Sequence, residues 1–194
     1  MLGLLALLVA GCGEAEIIPA PGHDLGEPWQ AQPFAVDQAL VLAAERICRD
    51  GEREMFPAGL PLILVDARGD NRLLLFFAGP ADTGECFVTR DGAGRLTFDG
   101  GGGTGGDIRP AVGLTEIRLP GAGSSDVPGK PWSYGIGQAG VAIASVELTP
   151  PSGVTVQASL NRGWFAAWWF GLDHDAVIVV RGYDALGTLV GSSP

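Results

Sequence analysis

Glycine and proline cut most of this chain into short apolar segments, and that spacing limits the fold more than any other feature. Apolar runs end in turn signals such as Gly69-Asp70-Asn71, Asp91-Gly92-Ala93-Gly94, Pro150-Pro151-Ser152-Gly153 and Asn161-Arg162-Gly163. With 31 glycines and 14 prolines in 194 residues, the composition argues against a helix bundle. The length suits one domain, and 46% hydrophobic residues supply a core that rules out global disorder.

The clearest helix signal precedes these segments. Asp37 is a good N-cap, because its carboxylate can accept from free backbone N–H groups of the first turn. Val36 and Val41 are placed for a hydrophobic staple. Leu40, Ala43, Ala44, Ile47 and Cys48 then recur at helical spacing. Arg46 and Arg49 suit the negative end of the helix dipole, and Gly51 is a natural stop. The spacing predicts a helix over 38–49 with Cys48 on its apolar face.

Strands are predicted over 62–66, 72–78, 85–89 and 95–98, the first two apolar on both faces and so covered on both sides. Residues 114–119 are a further candidate. Others are predicted over 141–148, 154–160, 164–170, 176–181 and 188–190, with 154–160 alternating as a half-exposed antiparallel strand. Residues 99–110, DGGGGTGGDIRP, read as a flexible loop, and 120–135 as an irregular stretch. The expected fold is mainly β. It is an antiparallel sandwich or strongly bent sheet of about nine strands, with the N-terminal helix packed on it, as one domain over 34–194.

Residues 2–10 form an apolar run broken only by Gly3. A bilayer-spanning helix needs about 20 residues, so the run has the length of a signal-peptide hydrophobic region instead. Val9-Ala10-Gly11-Cys12 follows, and it resembles the lipobox of bacterial lipoproteins. The resemblance implies that residues 1–11 are a signal peptide and that Cys12 is acylated. The chain would then be anchored on the outer face of the cytoplasmic membrane. No Lys or Arg precedes the run, so a start codon upstream of Met1 is expected. Residues 12–33 carry Pro19, Pro21, Pro28 and Pro33 and read as a semi-rigid tether. Near the other end, ASLNRGWFAAWWF and the later Gly182-Tyr183-Asp184-Ala185 resemble uncharacterised exported proteins of actinobacteria. That resemblance spans residues 141–190; it implies export and no particular activity.

With Cys12 acylated, Cys48 and Cys86 remain as an even pair, which suits an oxidising compartment. Cys86 shares a strand face with Val88 and could meet Cys48 if the helix packs there. The bridge would close a loop of about 39 residues and contribute about 4 kcal/mol in the chain-entropy model.

The aromatic segment 164–170 is the best candidate for a binding surface. On a strand, Trp164, Ala166, Trp168 and Phe170 share one face, and Phe165, Ala167 and Trp169 the other. Three tryptophans in a sandwich usually mean core. The expectation is a largely buried strand with Trp168 or Trp169 partly exposed, joined by Trp132 or Tyr134 in a stacking platform. Asp173, His174 and Asp175 could hold a cation, but nothing near them in sequence completes a ligand set. The glycines at 100–106 lack the Lys and Ser or Thr of a phosphate loop. Arg68-Gly69-Asp70 spells an adhesion tripeptide and reads as a hairpin loop. No Gly-x-Ser-x-Gly elbow is present, and no acid stands out by its local context.

A net charge of -10 and a pI near 4.5 argue against nucleic acid or anionic lipid as an electrostatic partner. The expected protein is a lipid-anchored, extracytoplasmic, non-catalytic binding or structural protein without a cofactor, with a cell-wall glycan or an envelope protein as its partner. A carboxylate-based envelope hydrolase and an accessory sensor contacting a membrane partner are the alternatives.

Overall fold

The computed structural model describes residues 25–51, 59–105, 112–126, 130–173 and 177–193. Among these residues one helix, α1 (Gln38–Gly51), precedes twelve strands. They form three four-stranded antiparallel sheets. The first sheet takes β1 (Leu62–Ala67), β2 (Arg72–Ala78), β3 (Asp82–Arg90) and β4 (Leu96–Gly105), in that order. The remaining strands are β5 (Ile117–Ser125), β6 (Trp132–Ala139), β7 (Ser145–Thr149), β8 (Val156–Gln157), β9 (Ser159–Asn161), β10 (Trp164–Phe170), β11 (Val179–Tyr183) and β12 (Leu189–Ser193). The second sheet runs β5-β6-β10-β9 and the third β12-β11-β7-β8.

Strand alternation stacks the sheets. Leu73, Leu75, Phe77, Cys86 and Val88 leave the first sheet on one side and pack under Ala44 and Cys48 of α1. Leu74, Phe76 and Phe87 leave it on the other side and meet Trp132, Ile136, Ala166 and Trp168 of the second sheet. Phe165, Ala167 and Trp169 on the far face of the second sheet meet Val146, Leu148 and Val180 of the third. The layers are therefore helix, sheet, sheet, sheet, with β10 interior to the middle one. Asp37 caps α1 as its sequence suggests, its Oδ1 accepting from Ala39 N at 2.6 Å. The disulfide expected between Cys48 and Cys86 is present and ties α1 to β3.

Four expectations are corrected. The glycine run is not a loop up to Gly105. It continues β4, with Glu85, Cys86 and Phe87 of β3 paired to Gly102, Gly101 and Gly100. The partner strand supplies the order that glycine itself does not. Most of 120–135 is likewise strand, the end of β5 and the start of β6, and Pro120 sits at an irregularity in the register between Arg118 and Gly121. Segment 154–160 is not one strand. Val156 pairs with Leu148 in the third sheet and Ser159 with Ala166 in the second, so the chain changes sheets at Ala158. Val154 accordingly stays exposed while Val156 is buried.

The fourth concerns the tether. Residues 25–33 belong to the packed body. Leu25 is fully buried, and its carbonyl accepts from Asn71 N at 2.7 Å. Trp29 meets Trp168 and Phe170 at ring separations of 6.4 and 6.0 Å. Proline-rich composition gave no hint that this stretch covers the β1–β2 turn. That turn has Gly69 at φ 91°, where a Cβ would stand 2.3 Å from the Glu27 carbonyl oxygen. The close approach requires glycine.

Candidate functional site

Glu85 stands on the face of β3 that looks toward the second sheet, beside Phe87. Directly across β4 lies Gly102. The Glu85 carboxylate folds over that glycine, and a Cβ at residue 102 would be 2.5 Å from Glu85 Oε1. The second sheet mirrors this arrangement. Tyr134 of β6 is paired with Gly123 of β5, and its ring covers that glycine so closely that a Cβ there would lie 2.6 Å from the ring. Tyr134 donates its hydroxyl proton to Glu85 Oε1 at 2.7 Å and so joins the two sheets.

Both side chains are half-buried and lie one strand inside a glycine-rich edge. Burial raises the Glu85 carboxyl above its ordinary value, and the Tyr134 hydrogen bond only partly opposes this. Burial and the neighbouring carboxylate also hold the Tyr134 phenol protonated. Phe87 continues the site inward, 3.9 Å from the Trp132 ring and 5.2 Å from Tyr134. Arg72 lies over Trp132 and Trp168 at 4.9 and 5.5 Å and binds Asp99 Oδ2 at 2.9 Å. The result is an acid and a phenol at a glycine-lined edge, backed by aromatic rings and a held guanidinium.

The residues expected to carry function fall differently. Trp168 and Trp169 are 0% and 1% exposed, so neither offers a stacking platform. Being interior to the middle sheet buries both faces of β10. Trp164 packs on Phe76 at 5.0 Å and is half-buried. Trp132 is 3% exposed, leaving Tyr134 as the one member of the expected face that reaches the candidate site from a half-buried position. Asp173 accepts from Trp169 Nε1 at 3.0 Å, which spends one carboxylate oxygen on the core. His174, Asp175 and the lipidation candidate Cys12 lie outside the described residues.

Arg68 of the adhesion-like tripeptide is fully buried, paired with Asp66 at 2.6 and 2.9 Å. It also donates to the carbonyls of Ala31 and Gln157, and Ser159 Oγ donates to Asp66 at 2.9 Å. This network fixes the crossing of the chain between sheets. A groove of about 430 Å³ between β1 and β9 has no ionisable lining, and Asn161 Nδ2 crosses it to the Ile63 carbonyl at 2.6 Å.

Sequence reasoning missed Glu85. The available signal was an acid opening an otherwise apolar strand, next to Phe87 on alternation. Its partner is 49 residues away in sequence and on another sheet, so no spacing rule links them. No family model matches this chain, and neither a curated protein nor a solved structure does.

Proposed function

We propose that this is a lipid-anchored, extracytoplasmic, non-catalytic binding protein. Cys12 holds it to the membrane, and its ligand seats at the edge formed by β4 and β5. One observation carries the binding reading: Glu85 and Tyr134 reach out over Gly102 and Gly123, presenting an acid and a phenol where edge strands normally carry blocking side chains. The disulfide supports an oxidising compartment, and the lipobox-like segment supports the anchor. The tryptophan strand has no part in binding, because it is core.

Two measurements test this. Metabolic labelling with a fatty-acid probe tags the wild type and not Cys12→Ser; equal labelling removes the anchor. A photoreactive phenylalanine replacing Gly103 gives a discrete adduct in intact cells, and the same group at Leu186, a fully solvated turn position, does not. Equal adducts at both positions, or none at Gly103, remove the site. The second reading is a carboxylate-based envelope hydrolase, favoured by the raised carboxyl of Glu85. It needs another acid about 5–9 Å away, and the group Glu85 meets is a phenol.

A further inference from the structure

We propose that β4 is extended by a strand from a basic partner, an extended peptide segment whose Lys or Arg lies opposite Gly102 and pairs with Glu85. The inference rests on the edge being the binding site, and it names the class of ligand.

Among the described residues β4 is the outer strand of the first sheet, so one row of its backbone N–H and C=O groups faces outward. An extended backbone is the natural complement of such a row, because main-chain hydrogen bonds supply affinity without regard to sequence. Specificity must then come from side chains on alternate positions. Along Gly100-Gly101-Gly102-Gly103 the edge has none of its own. What it offers comes from one strand further in. Glu85, directly across from Gly102, lays its carboxylate over that glycine, so the charge sits almost at the edge.

An added strand would lie about 4.8 Å beyond β4. Its residue opposite Gly102 on the same face would look across a bare glycine at the carboxylate. The long stem of Lys or Arg spans that distance, with its head at Glu85. One carboxylate oxygen already accepts from Tyr134, which fixes the group for a charge-assisted contact. The whole chain, at net charge -10, favours approach of a basic segment and repels an acidic one.

The partner is a different molecule, not a second copy of this chain. β4 reads LTFDGGGGTG and contains no Lys or Arg, so pairing two copies edge to edge would set nothing cationic against Glu85. The single lysine, Lys130, is engaged with Asp70 at 2.7 Å.

The test uses the full chain in detergent and three synthetic peptides, titrated by calorimetry. The first is Thr-Val-Thr-Val-Lys-Val-Thr-Val-Thr, the second has Gln in place of Lys, and the third is the Lys peptide with alternate amides N-methylated. The Lys peptide is expected to bind at least about tenfold tighter than the Gln peptide, and the N-methylated one to lose binding. Glu85→Gln should abolish the preference while keeping the melting temperature of the wild type within a few degrees. Tyr134→Phe, which leaves the charge in place, should keep most of it. An undiminished preference in Glu85→Gln, or undiminished binding of the N-methylated peptide, overturns the proposal. If no peptide binds while the Gly103 adduct persists in cells, the basic-strand inference falls and the binding site stands. If the adduct is missing as well, both fall.

Discussion

Glu85 and Arg68 both place charge where water cannot solvate it freely, and they make opposite predictions. Burial raises the Glu85 carboxyl, so the folded protein holds that proton more tightly than the unfolded chain does. Below the ordinary glutamate value, about pH 4.3, both states are protonated and folding feels no penalty. As pH climbs through the raised value, the folded state must ionise a desolvated group and loses stability relative to a chain without it. Glu85→Gln should therefore gain on the wild type between pH 4 and pH 8, measured as the difference in urea midpoints; a gap that does not change with pH would contradict this. Arg68 is the other case. It and Asp66 are both fully buried and satisfy one another. Arg68→Ala leaves a buried carboxylate without its cation, at a cost of about 3–5 kcal/mol. Replacing both partners with apolar residues should cost clearly less in the same urea titration. Neither role was legible in the sequence. Arg68-Gly69-Asp70 spelled a surface motif, whereas Ala31 on one side and the crossing at Gln157 and Ser159 on the other enclose the Arg68–Asp66 pair.

At the scale of elements, the sequence was legible where side chains decide structure and opaque where backbone pairing does. The helix start, β2 and β10 follow from a cap and from apolar runs of the right length; β2 and β10 match their expected bounds residue for residue. Residues 100–105 have almost no side chains to pattern, so they read as loop, yet β3 orders them. The exposure of β10 was misjudged for a related reason. Composition cannot tell whether an apolar strand is central or lies on an edge, and sheet order alone settles that. Acrylamide should accordingly leave the fluorescence of Trp168 and Trp169 shielded, with Trp168→Phe and Trp169→Phe variants assigning the signal. Strong quenching of either would place β10 at a surface. The disulfide between α1 and β3 joins elements that also share a core cluster through Ala44 and Val88. Reduction or Cys48→Ser should cost up to about 4 kcal/mol in thermal or urea unfolding without removing the helix signal in circular dichroism.

The whole molecule is a stack in which each interface depends on its neighbour. The middle sheet has no solvent face at β10, so the first and third sheets both use it as their floor. The segment at residues 25–33 belongs to that arrangement, because Trp29 packs against residues of both sheet interfaces. Leu25 joins the core beneath α1. The same segment supplies acceptors to the rest of the body: Leu25 O and Glu27 O to the β1–β2 turn, and Ala31 O to Gln157 N and to Arg68. A tether could be cut anywhere without consequence. This segment could not, since its removal takes residues from three hydrophobic clusters and a partner from the buried ion pair. Against a chain beginning at Leu25, one beginning at Phe34 should thus lose at least about 3 kcal/mol in urea unfolding, the scale of a large core side chain deleted outright. Equal midpoints for the two truncated chains would return residues 25–33 to the tether and leave the body to begin at Phe34.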